Sequence, residues 1–249
     1  MPKPELLGLQ FDALDLDTAV AHCLALARSR ARTSIVVTAN AAHLVGMRRD
    51  PEFAEACRAA DLVVADGMSV VWALRASGQH CPERVAGIDL MARLLRAAGE
   101  ERLAVYLLGA RPTVIATLVE TLRDRYPGLA IAGWRDGFFG AAEEPGIIEA
   151  VRTSGASLLF IGMGSPLQET WCVRHRQHLG VPLAIGVGGS FDVLAGFVRR
   201  APGPVQRLGL EWGWRLAMEP RRLWRRYLTV NFAFIGLAGR EVIARRLGG

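Results

Sequence analysis

Asp66 closes the apolar run LVVAD and is followed directly by Gly67. A carboxylate at the end of a buried strand is partly desolvated, which raises its pKa and makes it a better general base near neutrality. The same residue has a plainer use as N-cap of a helix over MSVVWALR, and the local pattern leaves both readings open. Thr38 and Asn40 close a second apolar run, SIVVTAN. Asn40 suits a cap for the helix AAHLVGMRR, and the pair equally suits orientation of a sugar hydroxyl.

Three further run ends are rich in glycine: LLGARP with Gly109, IGMGSPLQE with Gly162 and Gly164, and GVGGSFD with Gly188, Gly189 and Asp192. Glycine lets backbone approach a ligand closely, and the helix that follows aims free N–H groups at it, an arrangement that suits a diphosphate. None of the three completes G-x-G-x-x-G, because Leu167 and Phe191 stand where the third glycine belongs. A nicotinamide-dependent oxidoreductase needs that fingerprint and an acidic residue about 20 positions on. The loops therefore favour a nucleoside diphosphate over a dinucleotide.

Other combinations are weaker. Asp15-Leu16-Asp17 is a literal D-x-D, the pattern that holds a divalent metal in many sugar-nucleotide transferases, but it opens the helix TAVAHCLALAR with Asp17 as the expected N-cap. His175 and His178 stand three residues apart without a third ligand, as on a solvated helix face. No metal site and no resident cofactor are expected. The four cysteines, Cys23, Cys57, Cys81 and Cys172, are widely spaced without a C-x-x-C pair, which fits a reducing compartment.

These residues need a scaffold. SIVVTAN, LVVADG, LAVYLLGA, LAIAGW, SLLFIGMGS and PLAIGVGGS are continuous rather than alternating apolar runs, the signature of strands buried on both faces. Between them, segments such as IDLMARLLRAAG and PTVIATLVETLRDRYPG show helical spacing; Pro112 and Pro145 open helices. Strand and helix in alternation predict an α/β fold, a Rossmann-like, mostly parallel sheet with helices on both faces. In such sheets ligands collect beyond the carboxyl ends of the strands, where the residues above lie. The pattern breaks at RRAPGPVQ, so residues 1–198 are expected to form the nucleotide-binding body and 199–249 a helical appendage.

Charge divides the chain at the same place. Residues 199–249 hold 11 Arg against 3 Glu, a net of +8, while the body carries −2. EWGWRLAMEPRRLWRRYL packs five arginines and three tryptophans into residues 211–228. Arginine forks onto phosphate oxygens and tryptophan favours the membrane–water boundary, so a lipid surface and a lipid diphosphate fit this segment. The acidic body and the lack of a nucleic-acid module argue against nucleic acid. The apolar side of LGLEWGWRL also suits a homo-oligomer interface. The uncharged run of residues 227–239 would span only about 20 Å as a helix, too short to cross a bilayer. The acidic amino-terminal stretch lacks an apolar signal core, which implies a cytoplasmic chain that meets the inner face of the membrane peripherally.

TANAAHLV, VVADGMSVV, ERVAGIDL, YLLGARP, WRDGFF, GMGSPLQETW, GVGGSFDVLAG and RAPGPVQRLGLEWGWRLAMEPRRLWRRYL together resemble the TagA/WecG/CpsF glycosyltransferases, in consistent order from about residue 33 to 228. The resemblance implies an inverting enzyme. It would move an N-acetylmannosamine-type sugar from a UDP donor, a substrate and not a cofactor, to polyprenyl-diphosphate-linked N-acetylglucosamine. It also implies a role in wall teichoic acid, enterobacterial common antigen or exopolysaccharide synthesis, where a related UDP-hexose transferase is the alternative. Carried over residue by residue, it puts the threonine of a T-x-N motif on Thr38, the catalytic base on Asp66, a pocket arginine on Arg84 and a motif glutamine on Gln168. The lipid-diphosphate arginines fall on Arg215, Arg222 and Arg225. Ala41 replaces a common proline, and Met68-Ser69 replaces a frequent Ile or Met followed by Gly.

Overall fold

The computed structural model describes residues 3–29, 32–218 and 220–247; the side chains of Arg207, Arg221, Arg222, Leu223, Arg225, Arg226 and Tyr227 lie outside that description. An antiparallel hairpin comes first, β1 (Glu5–Leu6) and β2 (Leu9–Gln10), turned through Leu7 and Gly8 at φ 52° and 79°. Leu6, Leu9 and Phe11 are fully buried and fasten the hairpin to the core. None of the apolar runs corresponds to it, since two-residue strands are too short to show a period. Helix α1 (Leu16–Arg28) follows, capped by Asp15, whose side chain accepts from Thr18 N at 2.7 Å. The cap is therefore Asp15 and not Asp17, which lies in the first turn and pairs with Arg93 at 2.6 Å.

All six expected core strands form. They are β3 (Ser34–Ala39), β4 (Leu62–Ala65), β5 (Val105–Gly109), β6 (Ile131–Arg135), β7 (Leu158–Gly162) and β8 (Leu183–Gly186), parallel throughout in the order β4-β3-β8-β7-β5-β6. Successive residues of β3 alternate between two apolar clusters, Ile35, Val37 and Ala39 on one side and Val36 on the other. Both faces are covered, which explains continuous rather than alternating hydrophobicity. β6 departs from this. It pairs only with β5, and its burial alternates because one of its two faces is left to solvent, unlike the other edge strand β4.

One face carries α2 (Ala41–Met47), α3 (Pro51–Arg58), α4 (Met68–Ala76), α7 (Glu144–Thr153) and α8 (Leu167–His175). The other carries α1, α5 (Gly87–Glu100), α6 (Pro112–Arg125) and the short α9 (Ser190–Leu194). Pro112 and Pro145 occupy the first turns of α6 and α7 as expected. His175 ends α8 and is half-buried against Trp171, ring centroids 5.0 Å apart, while His178 lies beyond the helix; the two do not share a solvated face.

Beyond residue 199 the chain forms α10 (Gly203–Arg207), α11 (Glu211–Met218) and α12 (Pro220–Leu247). The second half of α12 packs on α2 and α4. Phe234 and Ala238, one turn apart, are each 4% exposed within the cluster that covers the first face of the sheet. Polar ties reinforce the seat: Leu7 N donates to Glu241 Oε2 at 2.9 Å and Arg246 Nε to Ala76 O at 2.8 Å. The opposite side of α12 exposes Leu228, Phe232 and Ile235. No helix among the described residues is long and apolar enough to cross a membrane.

Candidate active site

Across the sheet the carboxyl ends run Asp66 after β4, Thr38 and Asn40 at β3, Gly186–Gly189 after β8, Gly162–Gln168 after β7, and Gly109–Arg111 after β5. The sequence candidates of the body thus share one edge, as the strand-end rule requires. A separate groove lined by Arg96, Gly99, Glu100, Arg125, Tyr126, Pro127 and Gly128 lies at the amino edge and gathers none of them.

Asp66 is not a helix cap. Gly67 takes the N-cap position of α4 at φ 150°, with no side-chain cap bond, which leaves the Asp66 carboxylate for other work. The Asp66 backbone N–H donates to Ala39 O at 2.8 Å and so prolongs the β3–β4 ladder to the rim. Burial pushes its carboxyl up to about 6, against the opposing pull of Arg84, of the Gly87 N–H and of His43; Glu211 pushes it further up. Gly87, which opens α5, is needed for this closeness. A Cβ there would stand 3.0 Å from Thr38 Oγ1 and 3.5 Å from Asp66 Oδ2.

Thr38 is buried, and its hydroxyl donates to Gly186 O at 3.2 Å, tying β3 to β8 directly beside Asp66. Asn40 caps α2 through Ala42 N at 2.9 Å, within a reciprocal box completed by His43. The structure thus shows the capping use of Asn40. His43 Nε2 in turn stands 3.2 Å from Glu169 Oε1, which also accepts from Ser165 Oγ at 2.9 Å and Gln168 Nε2 at 2.7 Å. Burial works to raise the Glu169 carboxyl, but hydrogen bonding and charge from His43, with bonds from Gln168 and Ser165, hold it below the usual range. An ionised carboxylate thus anchors the loop after β7 to the helix after β3.

Gln168 is 3% exposed, and its Oε1 accepts from Gly164 N and Gly188 N, each at 3.1 Å. One side chain therefore sets the spacing of two glycine loops. Gly109 and Gly162 are register partners, and a Cβ on Gly109 would come within 2.5 Å of the Gly162 carbonyl carbon. Only glycine allows strands β5 and β7 to end so close together. Asp192, in the first turn of α9, lies 3.5 Å from Arg111 beside the same loops.

The segment after residue 199 reaches over this edge. Glu211 pairs with Arg84, and the Arg215 guanidinium lies on Gly189, where a Cβ would meet Nη2 at 2.3 Å. Arg200 grips Asp89 of α5 through two bonds of 2.7 and 2.5 Å. Gly209 lies against Met68 and Trp72 of α4. Arg222 and Arg225 fall outside the described side chains. Gly87, His43, Glu169, Arg200 and Glu211 were not singled out from the sequence. Their only signal was position, inside ERVAGIDL, TANAAHLV, SPLQE and the arginine-rich segment.

A basic segment thus lies over the carboxyl edge of the sheet, with a partly buried carboxylate beneath it. The family model for the Glycosyl transferase WecG/TagA/CpsF family matches residues 4–248. The chain belongs to this family. It is also 32% identical over 222 residues to the N-acetylglucosaminyldiphosphoundecaprenol N-acetyl-beta-D-mannosaminyltransferase of Bacillus spizizenii, covering 89% of this chain and 85% of that protein. In this glycosyltransferase, then, the rim carboxylate and the three glycine loops share one edge of the sheet.

Proposed function

We propose that the enzyme transfers an N-acetylmannosamine-type sugar from a UDP donor to polyprenyl-diphosphate-linked N-acetylglucosamine, with inversion and with Asp66 as general base. The observation that carries this reading is the Asp66 carboxylate at the sheet rim, beside Thr38 and under the influence of Arg84, and raised to about 6. The family and the activity in the relative's name support the substrates.

In this mechanism the acceptor's 4-hydroxyl attacks the anomeric carbon while its proton passes to an Asp66 oxygen. The new C–O bond forms as the bond to the diphosphate breaks, and its electron pair leaves with UDP. The Gly189 backbone N–H and the Arg215 guanidinium meet the charge that develops on the leaving diphosphate, so the departure of UDP needs no metal. Gly109, Gly162 and Asp192 shape the donor side, Arg84 orients the reacting groups, and Gln168 keeps the loops in register. The arginine-rich segment, Arg222 and Arg225 included, meets the lipid diphosphate at the inner face of the membrane.

The test is direct. The purified chain is incubated with a panel of UDP-sugars and a short-chain lipid-diphosphate acceptor. The product is identified by mass and its anomeric configuration by NMR. A folded Asp66→Asn protein should turn over roughly 10²–10⁴ times more slowly. Wild-type turnover in that variant, or a product with retained configuration, defeats the reading.

A further inference from the structure

Glu211 and Arg84 stand 127 residues apart in the chain and meet as an ion pair at the reaction centre. Arg84 is the more buried partner, 12% of its side chain exposed against 30% for Glu211. No ion pair joins Arg84 to Asp66 among the described residues, although Arg84 is the strongest cationic influence on that carboxyl. One guanidinium thus lies between two carboxylates and is bonded to the one that comes from α11.

The rest of the segment is seated by contacts away from the carboxylate. Gly209 lies on Met68 and Trp72, Arg200 pairs with Asp89, and Arg215 covers Gly189. Glu211 occupies the first turn of α11, where the helix N-terminus already favours a negative charge. Its helix therefore does not need Arg84, and the pairing calls for another account. An arginine left alone beside Asp66 would bond to it and keep it ionised, at the cost of basicity.

We propose that Glu211 is a positioning residue: seated by α11, it holds the Arg84 guanidinium off Asp66 and so keeps the base competent. The inference rests on the reading of Asp66 as the base of the transfer. The other groups facing Asp66 are the Gly87 N–H from α5 and His43 from α2, and the charge of Arg200 is also felt there. None of these lies on α11.

Two measurements on the full-length protein test it. Carboxyl-carbon NMR follows the Asp66 titration, with the Asp66→Asn protein identifying the resonance. In Glu211→Gln the midpoint should fall by on the order of one unit as Arg84 turns to Asp66. Glu211→Asp should bring it back toward wild type. Arg84→Gln should raise it, and Glu211→Gln added to that variant should then move it little, because no guanidinium remains to turn toward Asp66. In the second measurement, the acid limb of the kcat/KM profile should shift downward with the midpoint, and the plateau should drop roughly threefold to tenfold. An unmoved midpoint in folded Glu211→Gln overturns the proposal, and so does an equal loss at every pH. The NMR arm needs no turnover. A midpoint that moves in a protein forming no glycoside upholds the electrostatic link and rejects the transferase reading.

Discussion

Gly189 lies directly under Arg215: a Cβ built on the glycine would stand 2.3 Å from Nη2 of the arginine. The clash falls on the far end of a flexible side chain, so Gly189→Ala should leave the fold standing and displace the guanidinium. Loss of one charge-assisted hydrogen bond to phosphate is worth about 1.5–3 kcal/mol, which predicts on the order of 10- to 100-fold in kcat/KM. Arg215→Ala should cost a similar amount. The double variant should lose little more than either single one, because both changes remove the same contact. Additive losses in steady-state kinetics would place Arg215 and the glycine loop in separate roles.

Asp66 is expected to cost the enzyme stability. Its carboxyl is raised from 3.8 to about 6 in the folded state. Between those two values the folded protein binds more protons than the unfolded chain, so stability falls as pH rises through this window and is flat above it. The shift corresponds to about 3 kcal/mol at most. Asp66→Asn removes the buried charge and should therefore melt higher than wild type at pH 7–8, with the gap closing toward pH 4. Calorimetry of both proteins across that range checks the sign. A variant that melts lower at pH 8 would mean that Arg84 and Gly87 more than offset the burial.

Gln168 links the two central loops through a single oxygen. Gln168→Leu keeps the size but strands the N–H groups of Gly164 and Gly188, each costing about 1–3 kcal/mol where water cannot replace the bond. It also removes the Nε2 donor from Glu169. On the proposed mechanism, in which the loops bind the donor and Asp66 accepts the proton, donor KM should rise more than kcat falls. Hydrogen exchange should speed up at residues 162–168 and 186–190. A pure kcat effect with unchanged exchange would instead put the glutamine against the reacting groups.

The sequence disclosed the sheet because β3, β4, β5, β7 and β8 are apolar on both faces, and it disclosed the rim because Asp66, Thr38 and the glycines follow those runs immediately. It was less informative where the deciding contact is distant or the register fine. Asp15 and Asp17 are both able to cap α1, and only the helix phase selects Asp15. The ladder from His43 to Glu169 spans 126 residues, and neither residue type announces the other. Arg84 was visible through its motif, but its partner Glu211 looked like one acidic residue in a basic stretch. In the same way, the break at RRAPGPVQ marks a change in pattern, while the burial of Phe234 and Ala238 far beyond it depends on the face α12 turns to α2.

That burial separates two functions within α12. Deleting residues 199–249 removes Phe234 and Ala238 from the core, together with the Glu241 and Arg246 ties, so the remaining body should melt well below wild type. A large side chain withdrawn from a packed cluster costs about 3–5 kcal/mol. The outward face is a different matter, since Phe232 and Ile235 are 71% and 66% exposed. Phe232→Asp with Ile235→Asp should therefore preserve the melting temperature. If this face lies on the lipid boundary beside the arginines, the double variant should no longer sediment with anionic vesicles, because two carboxylates replace apolar area and repel the leaflet. Sedimentation at the wild-type level would move the membrane contact off this face and onto α11. Melting and sedimentation measured on one preparation keep the structural and the surface roles of the helix apart.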